Sequence, residues 1–312
     1  MQPNKTVSMG KPIYNSENIS CPIIRTALGY VNPVTVERQL KKLEIVHDDG
    51  NDIFQKDTVC VITGGSNGLG LELTKLLIGK PCRVVIIIDI VPPPREFSYN
   101  PKIRYFQCDI SEYKQIQDTY SKIIKYYNNV SILINNAGKT SIQTLFTSTD
   151  QQIDSIMKVN FLGPYQLTNL LLPHMLEKGR GCIVNVASVL GEITPARVTT
   201  YGASKACLLA FHKSLSNHVK QFQNCNIHTI LVCPGKLETK MFEKVGTPSK
   251  VFAPDVNPSK LASRIVNAIQ ERDVSAIRTP YYANLLPLYS RLEWPYVSMI
   301  KKLSGMNKAT AI

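Results

Sequence analysis

Along residues 58–280, short apolar runs alternate with longer stretches in which apolar residues recur at helical spacing. The runs are Val59–Thr63, Val84–Asp89, Arg104–Cys108, Val130–Ile134, Cys182–Ala187 and Ile227–Cys233, with a weaker one at Val274–Thr279. Near-continuous apolar runs mark strands covered on both faces, since neither side meets water. Leu71, Leu73, Leu76 and Leu77 follow the first run at helical spacing, and Thr149–Lys178 and Thr200–Gln223 carry apolar faces over helical lengths. Strands alternating with helices require right-handed crossovers. The pattern therefore predicts an α/β fold with a doubly wound parallel sheet and helices on both faces.

The flanks break the pattern. Residues 1–57 read as an N-terminal extension, with scattered prolines and polar residues over 1–35. A short helix is predicted over 33–46, with Val36, Leu40 and Leu43 on one face, followed by the turn signal Asp48-Asp49-Gly50-Asn51. Residues 281–312 read as a tail rich in Tyr and Leu. It holds the chain's one tryptophan, Trp294, is interrupted by Pro287 and Pro295, and runs on to Lys301 and Lys302.

Composition changes this picture little. Hydrophobic residues make up 44% and charged residues 19% of the 312, which excludes a disordered chain. The net charge is +13, from 36 Lys plus Arg against 23 Asp plus Glu. No nucleic-acid motif or dense basic stripe accompanies it, so a solvated basic surface is expected and no nucleic-acid partner. Residues 1–57 are neutral, with seven basic and seven acidic residues, whereas residues 272–312 carry six basic and two acidic ones. The eight cysteines (Cys21, Cys60, Cys82, Cys108, Cys182, Cys207, Cys225, Cys233) form no C-x-x-C pair and no metal-ligand spacing. Free thiols in a reducing compartment and no metal are expected. No leader-like segment and no run of 18 apolar residues is found, so neither a secretory signal nor a spanning helix is expected.

The first run enters Thr63-Gly64-Gly65-Ser66-Asn67-Gly68-Leu69-Gly70 and a helical pattern follows. A glycine turn between a strand and a helix leaves backbone N–H groups and the helix dipole facing an anion, here the pyrophosphate of a dinucleotide. The second run ends at Asp89, 19 residues past Gly70, near the spacing of a ribose-binding carboxylate. A carboxylate there repels a 2′-phosphate. No basic residue directly follows Asp89, and Asn67 rather than a basic residue precedes Gly68, which favours NAD over NADP; Arg95 is the counterweight.

Tyr201 and Lys205 stand four apart in Tyr-Gly-Ala-Ser-Lys, on one face if helical. A phenol near pKa ~10 is a poor base at neutral pH, and a neighbouring ammonium should lower it. The pair then suits proton transfer in a carbonyl/alcohol interconversion. Ser188 follows a predicted strand at its carboxyl end, where parallel sheets bind ligands, and can stabilise charge on a substrate oxygen or simply cap a turn.

Over roughly residues 58–280 this constellation resembles the short-chain dehydrogenase/reductases, whose core is Rossmann-like. The resemblance rests on Thr63-Gly64-x-x-x-Gly68-x-Gly70, Cys108-Asp109-Ile110, Asn135-Asn136-Ala137-Gly138, Lys158-Val159-Asn160, the set Ser188, Tyr201 and Lys205, and Pro234-Gly235 with Thr239. It implies an adenine-contacting Asp109, a cofactor-side strand end at Asn136, Ala137 and Gly138, and a catalytic Asn160 supporting a relay water. It also implies a second task for Lys205 at the nicotinamide ribose, and nicotinamide-end contacts at Pro234, Gly235 and Thr239. Lys236-Leu237-Glu238 is more charged than usual in that turn. His174, His212, His218 and His228 need no catalytic role.

Substrate contacts are less defined. Met241, Phe242, Val251 and Phe252 either face substrate or pack their own loop. The aromatic tail resembles that of lipid-acting members such as retinol and 17-beta-hydroxysteroid dehydrogenases. Tyr289, Trp294 and Tyr296 suit a wet–apolar interface, and Lys301 and Lys302 suit anionic lipid. The expectation is a cytoplasmic enzyme acting on a lipophilic alcohol or ketone, with peripheral contact to lipid droplets or the endoplasmic reticulum, or else a tail folded over the pocket or an interface. The family's two long helices imply a homodimer. A soluble 3-ketoacyl-thioester reductase and a non-catalytic dinucleotide sensor are the rivals.

Overall fold

The computed structural model describes residues 52–289 except 98, 128, 144, 223–225 and 244–253, together with 292, 295 and 296. Seven strands, β1 (Val59–Thr63), β2 (Val84–Asp89), β3 (Ile103–Gln107), β4 (Val130–Asn135), β5 (Arg180–Val186), β6 (Asn226–Pro234) and β7 (Ala276–Thr279), form one sheet in the order β3-β2-β1-β4-β5-β6-β7. Every pairing is parallel, for example Ile62 with Ile87 and Ile134 with Val184. This is the doubly wound sheet the apolar runs predict. The chain leaves β1 toward β2 on one side and reaches β4 on the other, so a crevice opens at their carboxyl ends.

Helix α1 (Gly68–Ile78), α2 (Tyr113–Tyr126), α3 (Asp150–Met157), α4 (Gly163–Glu177), α5 (Thr199–Val219), α6 (Pro258–Glu271) and a single turn α7 (Leu286–Tyr289) complete the body. Strand residues alternate between faces. Cys60, Ile62, Val85, Ile87, Ile132 and Ile134 join Leu69, Leu73 and Leu77 of α1 and Leu261, Ile265 and Ile269 of α6 in one core. Among its described residues the β2–β3 connection holds a 3-10 turn at Arg95–Phe97 and no α-helix.

The predicted stretch Thr149–Lys178 is divided. Thr149 caps α3 in a reciprocal capping box with Gln152. A π-turn at Lys158–Leu162 then joins α3 to α4. On the extension side of residue 58, Ile53 and Phe54 are buried in the same core. Asp57 is 3.3 Å from the Arg180 guanidinium at the start of β5. The predicted helix over 33–46 and its turn lie outside the described residues. Among the described residues no helix is long and apolar enough to cross a membrane.

Candidate active site

The turn from β1 to α1 is held by its own polar groups. Thr63 Oγ1 accepts the N–H groups of Asn136 and Ala137, both at 3.0 Å, and Asn136 Nδ2 donates to the carbonyls of Thr63 and Gly64. The Asn136-Ala137-Gly138 strand end is thereby locked beside the glycine turn. Gly64 (φ 66) and Gly68 (φ 52) occupy the left-handed region. Gly70 is needed for a different reason, since a Cβ there would lie 1.9 Å from the Gly64 oxygen. Asn67 is exposed and makes no side-chain cap, so the first N–H groups of α1 are left to an outside acceptor. These features fit a dinucleotide phosphate.

Asp89 ends β2 beside this turn. Its carboxylate accepts the Ser66 N–H at 3.0 Å and the Val91 N–H at 3.3 Å. Ser66 Oγ in turn donates to the Val91 oxygen, and Leu69 is buried under the turn. Cys108, after β3, donates its N–H to the Asp89 oxygen, which sets Asp109 and Ile110 alongside. Asp109 Oδ1 accepts the Ser111 N–H, and Ile110 packs against the first residue of α4, Gly163. Across the crevice Pro234 ends β6, Gly235 donates its N–H to the Thr279 oxygen at 2.7 Å, and the Thr239 methyl lies 3.3 Å from the Cβ position of Gly68. The sequence-selected cofactor residues thus line one edge of the sheet.

The second cluster forms where β5 and α5 meet. Ser188 caps the 3-10 turn Val189–Gly191 by accepting the Leu190 N–H at 3.1 Å, and it also lies close enough to the Tyr201 phenol to favour its ionised form. Capping and a place in the site are therefore not alternatives. Tyr201 and Lys205 lie on one face of α5, with the Lys205 ammonium 5.9 Å from the Tyr201 ring centroid. Lys205 Nζ donates to the Val186 oxygen at 2.9 Å. Asn160 sits inside the π-turn. Its side chain accepts the Lys139 N–H, donates to the Lys139 main-chain carbonyl and donates to Ser204 Oγ, which donates to the main-chain carbonyl of Tyr201. The Cβ position of Gly138 is 3.6 Å from Asn160 Oδ1 and 3.7 Å from Lys205 Nζ, so the β4 end, the π-turn and α5 converge.

A profile of the short chain dehydrogenase family matches residues 58–250. An uncharacterized oxidoreductase of Saccharomyces cerevisiae is 41% identical over 83% of this chain and 85% of its own length. The chain belongs to the short-chain dehydrogenase/reductase family. It is an NAD(P)-dependent oxidoreductase acting on CH–OH groups. Two other relatives of this dehydrogenase differ in what their names say they act on. Retinol dehydrogenase 10-B of Danio rerio is 32% identical over 68% of this chain and 71% of its own. A 3-oxoacyl-(acyl-carrier-protein) reductase of Thermotoga maritima is also 32% identical, over 60% of this chain and 77% of its own. A short chain dehydrogenase of Burkholderia cenocepacia, crystallised with NADP, shares the fold with a TM-score of 0.67 at 21% identity, covering 80% of this chain and 98% of that one.

The electrostatics of the dehydrogenase correct one expectation. The Tyr201 phenol is pushed up to about 12 by burial, against the smaller opposing pull of the Ser188 hydrogen bond. The Lys205 ammonium does not outweigh that burial. Lys205 is itself buried, spends its donor on Val186, and is pushed down to about 8 by desolvation. In a dry site the penalty on charge exceeds the attraction of a neighbouring cation. Near pH 7 Tyr201 is therefore a neutral phenol.

The loop residues separate. Phe242 is buried and sets its ring edge-on to Tyr201 at 6.1 Å, while Met241 is exposed. Val251, Phe252 and Trp294 lie outside the described residues. The first residues of the tail pack on the body near the site: Ala283 and Leu286 are buried with Val189 and Ile193, which follow Ser188.

Sequence reasoning missed a buried polar chain behind the site. Asn135 Nδ2 donates to Asn185 Oδ1 at 2.8 Å and to Thr168 Oγ1, and Asn185 Nδ2 meets His212 Nδ1 at 3.2 Å. The available signal was an asparagine within each of two apolar strand runs. Ser204, which ties Asn160 to α5, was likewise overlooked inside its own motif. His174 is satisfied by the Tyr120 hydroxyl at 2.8 Å.

Proposed function

We propose that this dehydrogenase interconverts an alcohol and a ketone or aldehyde on a lipophilic substrate of the retinoid, steroid or lipid class, with Tyr201 as general acid and base. The observation that carries this reading is the apolar surround of Tyr201. Phe242 sets its ring edge-on to the Tyr201 ring, and Tyr201 is itself buried within the main apolar core. Tyr201 gives its phenolic proton to the carbonyl oxygen in reduction, and in oxidation its phenolate form takes the proton from the hydroxyl. Ser188 holds that oxygen. The Lys205 ammonium stabilises the phenolate left behind, and Asn160 keeps the π-turn and α5 in place. Thr63, Gly64, Ser66, Asn67, Gly68, Leu69 and Gly70 would hold the dinucleotide phosphates. Asp89, Asp109, Ile110 and Asn136–Gly138 would hold the adenosine side, and Lys205, Pro234, Gly235 and Thr239 the nicotinamide side. The bound nicotinamide supplies or accepts the hydride.

NAD is the preferred cofactor on this reading. Asp89 presents a carboxylate where a 2′-phosphate would lie, and Arg95 sits in an exposed 3-10 turn. The substrate comes from a lipid surface on the cytoplasmic side, where the enzyme binds peripherally. In support, Leu145 and Phe146 after β4 and Tyr281, Leu285 and Leu288 after β7 are exposed. Both loops leave the same carboxyl edge of the parallel sheet. Homodimerisation through α4 and α5 is supported by the exposed Ala203, Ala206 and Ala210 beside the Tyr165–Phe211 ring pair at 5.0 Å.

A series of alcohols of increasing apolar length, assayed with NAD and NADP, tests the reading. Catalytic efficiency should rise roughly threefold to fourfold per added methylene, the ~0.8 kcal/mol of a buried CH₂, and should be higher with NAD. Turnover confined to acyl thioesters would favour the 3-ketoacyl reductase. Cofactor binding without any turnover would favour the sensor. For the surface, replacing Leu285 and Leu288 by Ser should lower co-sedimentation with anionic vesicles.

A further inference from the structure

The charged turn after Pro234-Gly235 has a structural answer that family membership does not provide. Lys236 sends its ammonium to Asp255, with Nζ 3.4 Å from Oδ2, and both side chains are only about one-fifth exposed (20% and 22%). The two main chains are joined as well. Val256 donates its N–H to the Lys236 oxygen at 2.7 Å, and Glu238 donates its N–H to the Val256 oxygen at 3.1 Å, a parallel bridge centred on Leu237 and Val256. Leu237 and Val256 are both buried in the main core. Asp255 stands just before Asn257, the cap of α6, whose Oδ1 accepts the Lys260 N–H. Among the described residues Asp255 Oδ1 is buried without a partner, and the bond to Lys236 offsets the burial of that carboxylate.

The segment so tied spans the two halves of the site. Thr239 lies against Gly68 of the glycine turn, and Phe242, three residues on, lies against Tyr201. We propose that the Lys236–Asp255 pair, with the Val256 bridge, is a positioning latch that fixes Leu237–Thr239 against the nicotinamide end of the cofactor. The latch fastens both ends of the chain between residues 240 and 254, so changes in that loop leave the cofactor wall in place. Lys236 and Asp255 act through Thr239 and the main chain, and they touch neither substrate nor Tyr201. This inference rests on the reading that Pro234, Gly235 and Thr239 face the nicotinamide.

The test compares full-length Lys236→Ala, Asp255→Ala, Lys236→Arg and the exchanged pair Lys236→Asp/Asp255→Lys. The readouts are the dissociation constants of NADH and NADPH, kcat at saturating cofactor, and the melting temperature. Each alanine variant should weaken binding of the preferred reduced cofactor about three- to tenfold, the range of a half-buried coupled pair, with kcat within about twofold. Lys236→Arg should stay near the parent, and the exchanged pair should bind more tightly than either alanine variant. Unchanged dissociation constants in the alanine variants, even with a lowered melting temperature, would overturn the latch. So would an exchanged pair no better than the single changes. A parent protein that binds neither dinucleotide would instead sink the reading of the site on which the latch rests.

Discussion

The cofactor half and the substrate half of this site are built on different principles. The cofactor half is local: one strand–turn–helix unit, from Val59 to Ile78, supplies the glycines, and Thr63 and Asn136 bolt it to the end of β4. Its constraints are backbone constraints, such as the 1.9 Å that separates a Cβ at position 70 from the Gly64 oxygen. The substrate half is assembled from distant segments. Ser188 follows β5, Phe242 follows β6, and Ala283 and Leu286 follow β7. Its constraints are side-chain packing, and packing tolerates exchange where a backbone clash does not. One fold can thus keep its cofactor chemistry while the wall before Tyr201 changes, as the retinol and acyl-carrier-protein names of two equally similar relatives illustrate.

Four changes would break or sharpen that contrast. Tyr201→Phe removes the group proposed to move the proton. Turnover should fall by at least ~10²–10⁴, while titration calorimetry finds cofactor affinity preserved; near-normal turnover would refute the assignment. Gly70→Ala drives a methyl into the Gly64 carbonyl. It should cost about 1–3 kcal/mol of stability or more and at least tenfold in cofactor affinity, with a thermal melt and a binding isotherm as the measurements. A fully stable variant with normal affinity would show that the turn yields as readily as a side chain.

The third test is pH. His212, buried behind the substrate half against Asn185, is pushed down to about 4 by desolvation, and burial also lowers His174. Between the ordinary histidine value near ~6.5 and about 4, the unfolded chain binds more protons than the folded one. Stability from these neutral histidines is therefore complete above that upper value and is lost as pH falls through the window. Denaturant midpoints at pH 7 and pH 5 should differ in that direction, and His212→Asn should reduce the difference. An identical slope in that variant would exclude His212 as a source. The smallest effect belongs to the wall. Phe242→Ala should leave cofactor affinity unchanged and shift the alcohol preference toward bulkier substrates by a few-fold in kcat/KM, measured on the same alcohol series. Weakened cofactor binding instead would show that the halves are not separable at this loop.

Much of this was legible in the chain because it rests on short-range spacing. Six apolar runs predicted β1 to β6 to within two residues at each end, and the central strands β1, β2 and β4 are the clearest because they are buried along nearly their whole length. Strand β7 was weak because it is short and at the sheet edge, with Ala276, Arg278 and Thr279 only partly buried. Helix α6 went unnamed although Asn257-Pro258 and the Leu261, Ile265, Ile269 row announce it. The break of one predicted helical stretch by the π-turn at Lys158–Leu162 was not readable, because no proline or glycine marks it until Gly163.

What the sequence determined by itself is the reaction type: glycines at a strand end, an acid closing the next strand, and Ser188, Tyr201 and Lys205 at their spacing are local facts that backbone geometry turns into a site. What only the tertiary structure decided is how those groups are charged and what faces them. The neutral state of Tyr201 follows from burial by segments far away in the chain, overriding the ammonium four residues off. Lys236 finds its partner at Asp255, beyond a loop, and Phe242 finds Tyr201 across the sheet edge. Desolvation and long-range pairing depend on the whole packed body, and no spacing along the chain encodes them.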